Sequence, residues 1–246
     1  MTLVRILFSA CWLCSIATLV GEAASAIGEQ AIPVASYSAA IAQASDQLVY
    51  ADFETLKENR VVSNRGGLVQ LFGYQERPTV LSRFKGQEGS NPPAPEVVRL
   101  KQDDPNHAIA FDYELPAPNQ YAGAGVEIHA QADKDGKPVA LDVSGYKNLM
   151  MQLYATGVQS IRVEFISRGQ GITISNGGPQ MSFKLKPGFN TYQVPLKSLS
   201  QPPWADVRVS PKDFLKKLTA ISVVAYCDQC TAVKGTVVID NLVFQN

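Results

Sequence analysis

Histidine is nearly absent. The 246 residues contain two, His107 and His129, and neither stands in an H-E-x-x-H or similar ligand spacing. A histidine-built zinc site is therefore excluded. There is no G-x-S-x-G elbow, no phosphate-cradling P-loop and no dinucleotide fingerprint, and Gly169-Gln170-Gly171 is an isolated glycine pair. Neither sign of charge is in excess: 22 basic residues balance 22 acidic ones. With no basic tract as well, nothing points to nucleic acid. Long apolar runs are limited to one, Ile6 to Val20, interrupted by Ser9, Ser15 and Thr18. It falls short of the roughly 20 residues a membrane span needs.

Arg5 precedes that run, and Gly21 to Ala26 follows it with small residues at Ala24 and Ala26. A basic start, a short apolar centre and an A-x-A end read as a secretory signal peptide over residues 1–26. The expected product is secreted or periplasmic, in a bacterial envelope setting. Its removal takes one base, Arg5, and one acid, Glu22, leaving charge balanced. Residues 27–47, rich in Ala, Ser and Gln, read as a linker or N-terminal arm with a short helix near Tyr37 to Ala44.

Cysteine is also scarce. Four are present, in two C-x-x-C pairs. Cys11 and Cys14 lie in the signal, so a four-thiolate site is not expected in the mature chain. Cys227 and Cys230 remain, between two strand-like segments in a chain sent to an oxidising compartment. They read as a disulfide staple in a loop, with a redox-active pair and half of a metal site as the alternatives. A thioredoxin-like couple would need Cys227 at the start of a helix, and the flanks do not offer one.

What is abundant is alternation. Ile109, Phe111, Tyr113 and Leu115 alternate with Ala108, Ala110, Asp112 and Glu114. Leu149, Met151 and Leu153 alternate with Met150, Gln152 and Tyr154, and Ile161, Val163 and Phe165 with Ser160, Arg162 and Glu164. Period two means strands with one dry and one wetter face, as in antiparallel sheets. Strands are expected over 48–54, 68–72, 96–101, 107–115, 124–130, 147–155, 160–167, 181–186, 189–196, 218–226 and 235–244. Turn signals separate them at 64–67, 133–138, 176–179 and 186–188. One helical turn is expected over 210–217, with Ser210 at the N-cap and Pro211 at the first helical position. Many short strands with little helix predict an all-β, antiparallel β-sandwich or barrel over 48–246. Trp204, in a Pro-rich loop, reads as an anchor packed on the core, with a ligand platform at a rim as the alternative.

Two stretches carry a resemblance. Ala140 to Gly157 (ALDVSGYKNLMMQLYATG) and the closing Gly235 to Phe244 (GTVVIDNLVF), preceded by LTAISVVAY, resemble galactose-binding-like jelly-roll domains, above all the carbohydrate-binding modules grouped around family 11. Tyr50 to Glu54 (YADFE) and NRGG at 64–67 resemble that family's first strand and its Gly-Gly turn. Complex I intermediate-associated proteins share the fold. The resemblance implies a jelly roll whose first and last strands lie side by side. It implies a structural calcium ion held there by Asp52, Glu54 and Asp240, since hard carboxylate oxygens suit calcium. It further implies non-catalytic glycan or polysaccharide binding on a concave sheet face. The wet-face residues Asp112, Glu127, His129, Gln152, Tyr154, Arg162 and Glu164, joined by Tyr226, are the candidates if their strands share one sheet. A protein-interaction module with an envelope partner is the rival reading. Catalysis by a Glu127–Glu164 carboxylate pair is a third, which nothing in the spacing demands.

Overall fold

A computed structural model describes residues 46–57, 60–73, 81–84, 97–99, 106–128, 140–168 and 177–246. The signal, the arm up to residue 45, the turn at 133–138 and His129 lie outside these residues. No helix among them is long and apolar enough to cross a membrane.

The chain is a sandwich of two antiparallel sheets. Its strands are β1 (Gln47–Ala51), β2 (Leu56–Lys57), β3 (Arg60–Val61), β4 (Gly66–Gly73), β5 (Leu81–Phe84), β6 (Val97–Arg99), β7 (His107–Leu115), β8 (Gln120–Ile128), β9 (Asn148–Ala155), β10 (Ser160–Ile166), β11 (Gln180–Lys184), β12 (Asn190–Pro195), β13 (Ala220–Cys227) and β14 (Val233–Gln245). One sheet runs β12-β9-β14-β7-β5, with β1 added on β14 and β6 on β7; the other runs β11-β10-β13-β8-β4. β2 and β3 form a small hairpin. This is the expected jelly-roll β-sandwich.

The alternation read from the sequence fills the space between the sheets. Ile109, Phe111 and Leu115 face Ile161, Val163 and Phe165 through a core that includes Leu149, Met151, Leu153, Ile221, Val223, Val237 and Ile239, all fully buried. Each such aliphatic or aromatic side chain contributes about 1.5–3 kcal/mol on burial. β14 is long because it serves two partners along one edge. Val233 to Ile239 pair with β7, and Leu242 to Gln245 pair with β1. Between them the register to β9 shifts, and Asn241 takes φ 50°. Asn tolerates this left-handed conformation, and the bulge restores Leu242 and Phe244 to the core. First and last strands thus lie side by side, as the resemblance implies.

One strand was not anticipated beyond that hairpin of β2 and β3: β5 is only four residues, LSRF, too short and too polar to show a period; the strand expected from residue 124, β8, begins four residues earlier. The helical turn α1 (Pro211–Leu215) starts where expected, but Ser210 caps it without its side chain. Its carbonyl accepts from Phe214 N at 3.0 Å, and the turn buries Phe214 and Leu215. Cys227 and Cys230 are joined in a disulfide across the β13–β14 connection, with Cα atoms 5.7 Å apart, inside the range a bridge requires.

Candidate functional site

The outer face of the five-stranded sheet holds an open groove of about 660 Å³. Register defines its floor in rows across the strands. Gln180 on β11 lies beside Glu164 on β10, then Ser222 on β13, Gly125 on β8 and Gln70 on β4. The next row is Ser182, Arg162, Val224, Gly123 and Phe72. Beyond it Tyr226 pairs with Tyr121. One end of the floor is therefore aromatic and its middle polar.

The side chains are fixed before any ligand arrives. Arg162 Nε donates to Glu164 Oε1 at 2.6 Å, and its guanidinium lies 5.0 Å from the centre of the Tyr226 ring. A cation over an aromatic face and a charge-assisted hydrogen bond leave Arg162 little freedom. Gln70 Nε2 donates to Glu127 Oε2 at 3.3 Å. Phe72 meets Tyr121 edge-on, with centroids 6.4 Å apart. Gly123 makes room for it: a Cβ there would stand 2.8 Å from the Phe72 ring and 2.6 Å from the Val223 carbonyl. Ser222 is 1% exposed, and its hydroxyl has no hydrogen-bond partner among the described residues. A buried hydroxyl left without a partner costs stability.

Of the sequence candidates, the fold brings Glu127, Arg162, Glu164 and Tyr226 together in this groove. His129 lies outside the described residues. Asp112, Gln152 and Tyr154 require a correction: they do not share the groove's face. Their strands, β7 and β9, belong to the seven-stranded sheet, on the far side of the sandwich. There Asp112 sits opposite Thr236, whose hydroxyl donates to it. Tyr154 packs on Ala108, Ala110 and Val238, and Gln152 pairs with Thr191 and Asp240. Alternation separates inside from outside but does not say which sheet a strand joins. Residues that the sequence reading missed are Gln70, Phe72, Tyr121, Gln180, Ser222 and Asp228. Tyr121 shared a period with Glu127, but the glycines at 123 and 125 broke the pattern. Trp204 is also corrected: it is 62% exposed at the groove's rim and is not packed on the core.

No protein-family model matches the chain, and no curated protein does. Solved structures do match. A family 11 carbohydrate-binding module from Clostridium thermocellum, in complex with a β-1,3-1,4-mixed-linked tetrasaccharide, aligns over 82% of this chain and 96% of its own, with TM-score 0.51 and 13% identity. The family 11 module of a cellulosomal cellulase of Clostridium thermocellum aligns over 81% and 94%, with TM-score 0.51 and 12% identity. The chain has the jelly-roll fold of the family 11 modules. At such identity the likeness establishes the architecture of the jelly roll, while ligand chemistry must be argued from the site.

The expected calcium ligands of this jelly roll lie around the β14 bulge. Asp240 is fully buried. Asn106 Nδ2 donates to its Oδ2 at 2.7 Å, and Asn241 donates to it through both backbone and side chain. Burial pushes its carboxyl up to about 6 against those hydrogen bonds, and the charges of Glu54 and Asp52 add to the rise. Glu54 is held by the His107 ring and backbone, each at 2.6 Å, and Asp52 by Asn64 at 2.9 Å. Among the described residues no three His, Cys, Asp or Glu side chains gather closely enough to hold an ion. Each of the three carboxylates is instead engaged by nitrogen donors.

Proposed function

We propose that the chain is a non-catalytic module that binds a glycan in the groove across its five-stranded sheet. One observation carries this reading: aromatic rings and pre-positioned polar groups converge on a sheet face that is not used for packing the sandwich. Phe72, Tyr121 and Tyr226 present rings suited to the apolar faces of pyranoses. Arg162, Glu164, Glu127, Gln70 and Gln180 suit hydroxyl groups. Arg162 is held by Glu164 and Tyr226, so binding costs little side-chain entropy. The family 11 module solved with a mixed-linked tetrasaccharide makes mixed-linked β-glucan the first ligand to try. Glu127 and Glu164 serve recognition: their strands flank β13 on opposite sides, opposite Ala220 and Ser222 respectively, so their backbones stand roughly 12 Å apart.

Export is part of the reading and is supported by the N-terminal apolar run and by the disulfide. A calcium ion at Asp240, Glu54 and Asp52 is likewise proposed, on the hard oxygens they offer; binding would have to draw the three carboxylates together and displace their nitrogen partners. The test is calorimetric titration of the folded protein against a panel of neutral and acidic polysaccharides, in calcium and in chelator. Saturable binding weakened by Arg162→Ala supports the groove. A folded protein that binds none of the panel refutes the reading and turns attention to an envelope protein partner.

A further inference from the structure

The Trp204 loop is built to keep an indole in water. Gln201 bonds three ways inside it: its Nε2 donates to Gly177 O at 3.0 Å and Val207 O at 2.7 Å, and its Oε1 accepts from Val209 N at 2.8 Å. Arg208 donates to Pro203 O at 2.8 Å, and Ala205 N to Pro202 O at 3.1 Å. Pro202 and Pro203 fix two further φ angles. Gly177, at φ 83°, lets the neighbouring chain approach: a Cβ there would meet Ala205 at 2.7 Å. A loop this heavily braced does not leave Trp204 exposed for want of order, and Val207 in the same loop is exposed as well. Trp204 nonetheless has the greatest exposure of any large hydrophobic side chain among the described residues, 62%.

The groove continues to this loop. Trp204 lines it together with Ser167, Arg168, Gly177 and Gly178, at the end of β10. Ser167 is 2% exposed, and its hydroxyl has no partner among the described residues. An exposed indole and an unpartnered buried hydroxyl occur at the same end, away from the aromatic pair Tyr121 and Tyr226. Resting on the glycan-binding reading, we infer that Trp204 forms a second, off-sheet subsite that stacks on a sugar ring beyond the floor. The ligand is then an extended oligosaccharide, lying along β10 from the Tyr121–Tyr226 pair towards the Trp204 loop. From Ile161, opposite Ala225, to Ser167 the chain advances six residues, about 20 Å, so a mono- or disaccharide cannot occupy both ends.

The test is a ladder of mixed-linked β-glucan oligosaccharides, from disaccharide to hexasaccharide, titrated into the full-length wild type, Trp204→Ala, Trp204→Phe and Arg162→Ala. Wild-type affinity should rise with length. In Trp204→Ala that rise should disappear, lowering hexasaccharide affinity about tenfold, and Trp204→Phe should recover part of it. Wild type should show a change in tryptophan emission with the hexasaccharide that Trp204→Ala lacks. If Trp204→Ala follows wild type at every length while Arg162→Ala is weakened throughout, the subsite is overturned and the groove stands. If no member of the ladder binds wild type, the glycan reading for this polymer fails, and the subsite with it.

Discussion

Replacing Arg162 with alanine removes the centre of the groove, and its effects on stability and on binding separate cleanly. Arg162 and Glu164 side chains are 19% and 26% exposed, so the pair is neither fully screened nor fully desolvated. Its contribution to folding lies near the upper end of the surface range, about 1 kcal/mol. The cation over Tyr226 adds about 0.5–1 kcal/mol. The variant should therefore lose about 1–2 kcal/mol, and its Tm should fall by about 2–8 °C for a domain of this size. Binding should fall further. A charged hydrogen bond to a ligand hydroxyl is worth about 1.5–3 kcal/mol, so affinity should drop about 10- to 100-fold, and Tyr226 loses the neighbour that holds its ring. Arg162→Lys should fall between, since an ammonium keeps the charge but not the planar stack. Thermal melts and calorimetric titration on the same preparations check both parts. A folded Arg162→Ala protein whose affinity stays within about threefold of wild type would refute the argument that this guanidinium orients the ligand.

Other outcomes follow from the placement of single residues. Tyr154→Ala should leave glycan affinity unchanged, because Tyr154 lies on the opposite sheet over Ala108, Ala110 and Val238; melting should show a loss of about 1–3 kcal/mol for the uncovered patch. Replacing both Cys227 and Cys230 with serine should cost about 2 kcal/mol, the entropy of a very small ring, read as a lower denaturant midpoint with glycan affinity retained. Asp240, raised to about 6, binds its proton more tightly folded than unfolded. Its protonation therefore stabilises the fold fully below pH about 4, and that contribution, at most about 3 kcal/mol, is lost as pH rises through about 6. In chelator the Tm should rise on acidification from neutral to about pH 5, and Asp240→Asn should flatten that slope. Calcium at neutral pH should raise the Tm and lose its effect near pH 5, and a melt indifferent to calcium would remove the ion from the reading. Gly235→Ala should be severely destabilising, since its Cβ would stand 2.0 Å from the Thr156 carbonyl.

Most of the core could be read from period two, because in a sandwich every strand buries alternate residues and the pattern survives in each strand separately. Ile109 to Leu115 and Ile161 to Phe165 were legible for that reason. The site was legible only in part, because a groove is a property of neighbouring strands, and neighbours come from topology. Arg162 and Glu164 join Glu127 through β13, which lies between their strands yet follows β10 by more than fifty residues. Asp112 and Tyr154 have the same local pattern as Arg162, and nothing local distinguishes a strand of one sheet from a strand of the other. Phe72 and Tyr121 were hidden by type: aromatic residues in strands usually point inward, and these point outward over glycine. Trp204 misled for the same reason, since exposing an indole is unfavourable unless something else fixes the loop.

That cost bears on how the two faces of the sandwich divide their tasks. The outer face of the seven-stranded sheet is closed by its own residues. Asp240, Asn106, Glu54 and His107 tie the β14 bulge to β7 and to the segment after β1, and Tyr154 covers the alanines beside them. These interactions link parts of the fold to one another. Across the five-stranded sheet the pattern reverses. Rings stand over glycine, Ser222 and Ser167 keep hydroxyls without partners, and a braced loop holds an indole in solvent. Each of these features costs stability in the unliganded protein, and the glycan proposed for the groove would offer partners to them, with its apolar ring faces and hydroxyl edges. Trp204→Ser, which removes such a cost, should therefore raise or preserve the melting temperature while weakening binding, the trade expected where a surface is kept ready for a ligand.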